Sequence, residues 1–116
     1  MIRRGQIWSV KLEPTVGSEA NKTRPAVVVS NNAANETAAE LGQGTITVVP
    51  LTSNTARIYP FQVLIPATET KLSIDSKAQA EQVRSIDIRR VGDRLGGVSK
   101  PLLDEIDRAL RLHLSL

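Results

Sequence analysis

Hydrophobic residues alternate with polar ones over several short stretches of this chain, a pattern typical of β-strands. Residues 6–12, 45–51 and 61–65 alternate in this way and are rich in β-branched or aromatic side chains. Residues 25–30 form an almost wholly apolar run that favours a half-buried or buried strand over a helix. Pro25 fits the first position of that strand, because proline cannot donate a ladder hydrogen bond, and Pro50 is expected to end or bulge the next strand. Residues 77–83 predict a fifth strand.

The remaining segments predict shorter elements and one clear helix. Residues 33–41 permit one or two weak helical turns before Gly42, residues 85–87 are expected to open a helical turn, and residues 94–98 form a short strand. Ser99 is the predicted N-cap of the final helix, with Pro101 in its first turn. An apolar stripe follows at helical spacing: Leu102, Leu103, Ile106, Ala109, Leu110 and Leu114. The pattern predicts one mainly β domain over residues 1–116, a small antiparallel barrel or curled sheet of five or six strands with a C-terminal α-helix.

Composition excludes several kinds of chemistry. The chain has no cysteine and one histidine, His113, so zinc-thiolate sites, cysteine nucleophiles and histidine acid-base pairs are excluded. No apolar run follows the two arginines near the start, so we expect a cytoplasmic protein without a membrane segment, metal or other cofactor. The net charge is +3 and the isoelectric point is near 9.7, which leans toward an anionic partner.

Polar side chains concentrate in three segments, residues 19–24, 52–55 and 79–84. If these segments meet at one rim of the barrel, they combine a guanidinium with hydroxyls, carboxylates and amides. The candidates are Arg24, Thr52, Ser53, Glu19, Glu81, Asn21, Asn54, Gln79 and Gln82. This set suits a phosphoryl centre, because the planar donor fork of arginine matches phosphate and stabilises charge that builds on its oxygens.

RNA supplies its own nucleophile, the 2′-hydroxyl, so its cleavage requires no metal-bound water. A base near that oxygen, an acid near the leaving 5′-oxygen and a cation beside the phosphate suffice. A threonine hydroxyl is too weak a base unaided and arginine is not deprotonated in proteins, so Glu81 or Glu19 is the more credible base from the residues alone. Each candidate also has a structural interpretation: residues 52–54 have the composition of a turn, and Glu81 can pair with Lys77 or Arg84.

Six short motifs, taken together in this order and spacing, resemble the MazF/PemK family of toxin endoribonucleases from bacterial toxin-antitoxin modules. The motifs extend over essentially the whole chain. They are Arg4-Gly5-Gln6-Ile7-Trp8, Gly17-Ser18-Glu19, Arg24-Pro25-Ala26-Val27-Val28-Val29-Ser30, Val49-Pro50-Leu51-Thr52-Ser53, Tyr59-Pro60-Phe61-Gln62-Val63 and Glu81-Gln82-Val83-Arg84-Ser85-Ile86.

The resemblance implies an SH3-like barrel of the PemK/CcdB type and a homodimer. It also implies sequence-specific cleavage of single-stranded RNA without metal, which leaves a 2′,3′-cyclic phosphate and a 5′-hydroxyl. The resemblance identifies Arg24 and Thr52 as the family's usual catalytic pair, which ranks them above Glu81. Glu19 matches an acidic residue that matters for activity in some members. In some relatives an arginine or aspartate of the fifth-strand region takes part, and those places hold Gln79 and Glu81 here.

The family's partner is a small MazE-like antitoxin whose acidic, disordered tail folds across the RNA groove and the dimer interface. A basic rim of Lys22, Arg24, Arg57 and Arg84 suits such a tail. The residues expected to bind RNA are Asn21, Lys22, Asn54, Arg57, Gln82 and Arg84, with Ser53 as a further substrate contact. Only three aromatic residues are present, which favours base recognition by hydrogen bonding over stacking.

Two alternatives remain open at this point. One is a non-catalytic toxin of the same fold that inhibits a protein target such as DNA gyrase, which the combination of Arg24 and Thr52 argues against. The other is a nucleic-acid-binding module without activity, which would bind RNA with a steep salt dependence but form no cyclic phosphate.

Overall fold

Seven short strands pair into one antiparallel sheet in the computed structural model, which describes residues 1–116. The strands are β1 Gln6–Lys11, β2 Thr23–Val28, β3 Thr45–Thr52, β4 Gln62–Ile65, β5 Ser76–Gln79, β6 Arg84–Asp87 and β7 Val91–Gly97. The helices are α1 Asn32–Leu41 and α2 Lys100–Leu114, and short 3₁₀ turns span Ala67–Glu69, Ala80–Gln82 and Ile88–Arg90. The predicted mainly β fold with a C-terminal helix is confirmed.

Strand β3 lies at the centre of the sheet. One of its edges pairs with β2, and the other edge pairs first with β6 and then, over Leu51 and Thr52, with β5. The full order is β4-β5-β3-β2-β1-β7, so β4 and β7 form the two edges. The end of β3 is therefore enclosed between β2 and β5.

The alternation of side chains in β2 and β3 builds two hydrophobic clusters on opposite faces of the sheet. Val27 and Val49 belong to the first cluster, which includes Ile106 and Ala109 of α2. Val28 and Val48 belong to the second, which includes Ala38 of α1. Because both faces are covered, the valine run of β2 is apolar throughout.

Helix α2 begins as the sequence predicts. The hydroxyl of Ser99 accepts a hydrogen bond from the main-chain NH of Leu102, and Pro101 lies in the first turn. Ile106 and Ala109 are fully buried, whereas Leu114 at the end of the predicted stripe is half exposed. No helix is both long enough and apolar enough to cross a lipid bilayer.

The prediction of a helical turn over residues 85–87 is wrong. These residues belong to β6, where Ile86 pairs with Ile46 of β3. The helical turn begins one residue later, because the carboxylate of Asp87 accepts a hydrogen bond from the main-chain NH of Arg89. Asp87 therefore does begin a helical turn, but residues 85–87 themselves form a strand because they pair with β3, which is distant in sequence.

Several other boundaries differ from the sequence prediction. Strand β2 begins at Thr23, so Pro25 is its third residue and not its first, and β7 begins at Val91, three residues before the predicted start. Helix α1 is a complete ten-residue helix, closed by the side chain of Asn31 at its start and by left-handed Gly42 at its end. Pro50 lies inside β3 and pairs with Ala26. The fifth strand ends at Gln79, after which a 3₁₀ turn carries Glu81 and Gln82.

Candidate active site

Arg24 and Thr52 lie at the facing ends of β2 and β3. The two strands pair Val28 with Val48 and Ala26 with Pro50, and the same register continued by two positions aligns Arg24 with Thr52. Both residues are half-buried, and alternation puts them on the face of the second hydrophobic cluster. On this continued register, the two residues that the resemblance assigns to the catalytic pair align across the ends of the two strands.

The guanidinium of Arg24 is fixed by the loop that precedes it. Its Nε donates to the main-chain carbonyl of Asn21 at 2.7 Å, and its Nη2 donates to the side-chain Oδ1 of the same residue at 3.3 Å. Asn21 thus holds Arg24 through its main chain and its amide. The remaining guanidinium NH groups have no partner within the protein and remain available to an anion.

Gln82 connects the first and third polar segments. Its Oε1 accepts from the main-chain NH of Ala20 at 2.8 Å, and its Nε2 donates to the carbonyl of Ser18 at 3.0 Å. The loop that carries Asn21 is also held at Lys22, whose main-chain NH donates to the carboxylate of Glu13 at 2.9 Å. Both ends of the Gln82 amide are thus engaged with this loop.

Neither carboxylate that the sequence offers as a base is free. Glu19 is exposed, and its Oε1 accepts from the main-chain NH of Val16 at 2.6 Å across its own turn. The Oε2 of Glu81 accepts from Nε2 of Gln62 at 2.6 Å, and its Oε1 is buried without a hydrogen-bond partner. The residue types alone favour these two side chains as the general base. In the structure, each carboxylate already accepts a hydrogen bond from another residue.

The segment after Thr52 forms a polar turn. The Thr52 hydroxyl accepts from the main-chain NH of Asn54 at 3.3 Å, and the Asn54 side chain accepts from the NH of Ala56 at 3.3 Å. Ser53 is exposed and lies beside Arg24 in the lining of a cavity of about 490 Å³. This turn holds the Thr52 hydroxyl at the rim of the sheet.

The other predicted RNA-binding residues lie around this site. Arg57 is exposed, with its guanidinium 4.7 Å from the centre of the Tyr59 ring. Arg84 pairs with Val48 in register, on the same face as Thr52, and its Nη1 donates to the carbonyl of Leu12 at 3.4 Å. Gln82 of the third polar segment thus contacts the loop of the first, and Arg24 and Ser53 of the first and second segments line one cavity.

Sequence reasoning missed two polar residues that the structure adds to this face. Lys77 pairs directly with Thr52, and Gln62 pairs with Gln79, which is two positions from Lys77 on the same face. Both Lys77 and Gln62 are buried. The one sequence feature that could have identified Lys77 is its position between two small residues of a predicted strand. An ammonium is seldom buried without a partner, so a lysine in such a strand indicates a specific contact.

Five ion pairs lie elsewhere on the protein, and one of them joins Asp87 to Arg89. Hydrogen bonds from Arg89, two from its side chain and one from its main chain, lower the pKa of Asp87 from 3.8 to about 2. No group of three or more His, Asp or Glu side chains lies close enough together to hold one metal ion.

The model of one protein family matches residues 3–114, and its description is a PemK-like, MazF-like toxin of type II toxin-antitoxin systems. The chain belongs to this family.

Curated and solved relatives agree with this assignment. The chain is 60% identical over 116 residues to endoribonuclease MazF9 of Mycobacterium tuberculosis, covering all of this chain and 98% of that protein. The crystal structure of MazF from Deinococcus radiodurans has 29% identity and a TM-score of 0.83, covering 99% of this chain and 97% of that one. A mycobacterial endoribonuclease in complex with its cognate antitoxin has 27% identity and a TM-score of 0.77, covering 100% of this chain and 97% of that one.

Proposed function

We propose that this MazF-like toxin is a sequence-specific endoribonuclease that cuts single-stranded RNA by attack of the 2′-hydroxyl on the adjacent phosphate. The 2′-hydroxyl loses its proton as its oxygen forms a bond to phosphorus, the bond to the 5′-oxygen breaks, and the 5′-oxygen takes up a proton, so one proton is released and one is taken up in each cleavage. The products are a 2′,3′-cyclic phosphate and a 5′-hydroxyl. The observation that carries the proposal is the register of β2 and β3, which aligns Arg24 with Thr52 when it is continued by two positions, in a chain 60% identical to endoribonuclease MazF9 of Mycobacterium tuberculosis.

Arg24 supplies the positive charge of the proposed reaction. Two of its donors are used by Asn21, which orients the guanidinium before the substrate arrives. The free donors then bind the phosphate oxygens as charge builds on them in the transition state. Preorganisation of this kind accelerates a reaction more than binding of the ground state does.

Thr52 contacts the reacting phosphate from the neighbouring strand in this proposal. Its hydroxyl can donate to a phosphate oxygen while it accepts from the NH of Asn54. The family pair is favoured over Glu81 and Glu19, because one carboxylate is held by Gln62 with its other oxygen buried and the second by Val16.

The charges around the site favour RNA as the substrate. Lys22 and Arg57 are exposed, and Arg84 is half-buried on the face of Thr52. Such a rim attracts a phosphate backbone and makes binding salt-dependent. DNA lacks the 2′-hydroxyl that the proposed reaction uses, so DNA is expected to bind without being cut.

Two protein partners complete the proposal. An antitoxin with an acidic tail would occupy the basic rim, as the solved complexes of mycobacterial and Deinococcus relatives with their antitoxins support. A second copy of the chain would cover apolar side chains that the edge strand β4 and the end of α2 leave exposed. These are Leu64, Leu112 and Leu114.

The test is cleavage of a mixed RNA by purified protein in excess chelator, with analysis of the fragment ends. We expect discrete cuts with cyclic phosphate ends for the parent protein and for Arg3→Ala, which removes an exposed arginine that pairs with Glu36 of α1. Arg24→Ala is expected to fold and to cleave at least 100-fold more slowly, about the loss on removing one transition-state donor. Intact RNA with the parent protein would reject the proposal and favour a toxin that inhibits a protein target.

A further inference from the structure

Lys77 is a buried lysine beside the proposed active site. Only 8% of its surface is exposed, and it takes part in none of the ion pairs of the structure. Its ammonium instead donates to the main-chain carbonyl of Arg57 at 2.7 Å. Burial of a charge that has one neutral hydrogen-bond acceptor and no counter-ion costs stability.

The position of Lys77 in the sheet is next to Thr52. The two residues form a direct cross-strand pair between β5 and β3. Residues opposite each other in an antiparallel pair project to the same face, with Cβ atoms about 5 Å apart. Thr52 therefore lies between Arg24 on one side and Lys77 on the other.

The carbonyl that Lys77 binds belongs to the segment of residues 53–61, which has no regular strand or helix. This segment, which we call the 53–61 loop, begins directly after Thr52. Its far end is held by Arg108, which donates to the carbonyl of Pro60 at 3.1 Å, and by Gln62, which accepts from the NH of Tyr59 at 3.1 Å. In the middle of the loop, Lys77 provides the one side-chain hydrogen bond from the sheet.

The same ammonium orders the exposed side chains of the loop. Its Nζ lies 5.7 Å from the centre of the Tyr59 ring, and the Arg57 guanidinium lies 4.7 Å from that centre. Tyr59 in turn stacks on Phe61, with ring centres 5.4 Å apart and planes inclined by 5°. Two cations thus lie within cation–π distance of one ring, which links the loop to Lys77 of the sheet by a second contact.

We propose that Lys77 is a positioning residue of the cleavage reaction: its ammonium holds the 53–61 loop against the sheet and so fixes the Thr52 hydroxyl relative to Arg24. This inference rests on the proposed ribonuclease function. The ammonium acts through the loop and does not touch the phosphate, because it is buried and bonded to Arg57. A misplacement of about 1 Å at a reacting group can lower a rate about 100-fold.

The test compares Lys77→Met with Lys77→Arg and with Lys100→Met. Methionine keeps the length and the apolar stem but cannot donate, and arginine restores a charged donor. Lys100→Met makes the same change of charge at an exposed position, where the lysine pairs only with Asp104. Thermal unfolding of each variant establishes that it is folded.

Two measurements decide the proposal. In Lys77→Met, amide hydrogen exchange over residues 53–61 should become at least tenfold faster, and kcat for RNA cleavage should fall about 30- to 100-fold with KM within about threefold of the parent. Lys77→Arg should recover most of both, and Lys100→Met should match the parent. The slope of log KM against log salt should stay the same in Lys77→Met, because no phosphate contact is lost.

Three results would overturn the proposal. Unchanged hydrogen exchange in Lys77→Met would show that the lysine does not hold the loop. Faster exchange with parent kcat would show that the loop does not position Thr52. A raised KM, a smaller salt slope and an unchanged kcat would make Lys77 a direct phosphate contact. If the parent protein cut no RNA, the ribonuclease function and the positioning role would both fail, while hydrogen exchange would still establish whether the lysine holds the loop.

Discussion

Arg24 donates its Nε to the main-chain carbonyl of Asn21 at 2.7 Å, so the first residues of β2 and the loop before them form one unit. The guanidinium is planar and donates in fixed directions, which is why one face can bind the loop while another faces a substrate. A lysine at this position would keep the positive charge, but it could not donate hydrogen bonds to the loop and to a substrate in two fixed directions.

We therefore expect Arg24→Lys to lose most activity although it keeps the positive charge. Cleavage of RNA should fall about 100-fold, with RNA binding within about threefold of the parent. Asn21→Ala removes only the contact at 3.3 Å and should cost about threefold, because the main-chain carbonyl still holds Arg24. Single-turnover rates and filter binding measure both effects, and parent-like turnover in Arg24→Lys would show that charge alone suffices.

Thr52 is the last residue of β3, and Ser53 begins the turn that follows it. Thr52→Ala should lower kcat at least tenfold and leave RNA affinity nearly unchanged, because its hydroxyl acts on the reacting phosphate. Ser53→Ala should change both values by less than about threefold. Equal losses of affinity and rate in Thr52→Ala would indicate a substrate contact without a role in the chemical step.

Gln82 is expected to act on the loop and not on RNA, since both ends of its amide bind Ser18 and Ala20. Gln82→Leu should speed amide exchange over residues 17–22 and reduce cleavage about tenfold. Gln43→Leu, at an exposed glutamine outside the site, is the matched control. Slow cleavage with parent exchange would instead support the direct RNA contact predicted from the sequence.

Asp87 should stabilise the fold at all but strongly acidic pH. Its carboxylate has a pKa of about 2 in the folded protein against 3.8 in the reference state, because Arg89 donates to it from side chain and main chain. A lowered pKa stabilises the fold when the group is ionised, so the contribution is complete above about pH 4 and disappears as the pH falls through 2. Melting temperatures of the parent and Asp87→Asn should differ at pH 6 and converge near pH 2; a constant difference would contradict this account.

Arg4 joins the start of the chain to α2. Its Nε donates to the carbonyl of Val29 at 2.9 Å and its Nη2 donates to Asp107, in a pair that is less than one third exposed. Asp107→Asn should lower the free energy of unfolding by about 1.5–3 kcal/mol in urea titrations. Asp104→Asn, which breaks the exposed pair with Lys100, should cost about 0–1 kcal/mol, and equal losses would show that burial does not matter here.

The sequence predicted the elements that depend on local patterns. Ser99 and Pro101 mark the start of α2, and the valine run after Pro25 marks β2, because capping and alternation involve residues close in the chain. The prediction was wrong where the secondary structure depends on pairing with residues that are distant in the chain. Residues 85–87 pair with the start of β3, which no local signal near Asp87 reveals.

In the candidate site, too, the sequence predicts some residues and misses others whose contacts are distant in the chain. The family motifs gave Arg24 and Thr52, and the structure adds how Asn21 orients the first of them. Lys77 was missed because its burial follows from three contacts that are distant in sequence: Thr52, the Arg57 carbonyl and the Tyr59 ring. Glu81 was favoured as a base because its chemistry fits, whereas its contact with Gln62 arises only when β4 meets β5.

The most direct test of the central claim uses an RNA that contains the recognised sequence with a single 2′-deoxy nucleotide on the 5′ side of the cut. The claim is that the 2′-hydroxyl of the substrate is the nucleophile. The deoxy RNA should bind like the all-ribose RNA and remain uncut, while the all-ribose RNA yields a cyclic phosphate. Cleavage of the deoxy RNA at the same bond and rate would contradict the account, because another nucleophile would then have attacked the phosphate.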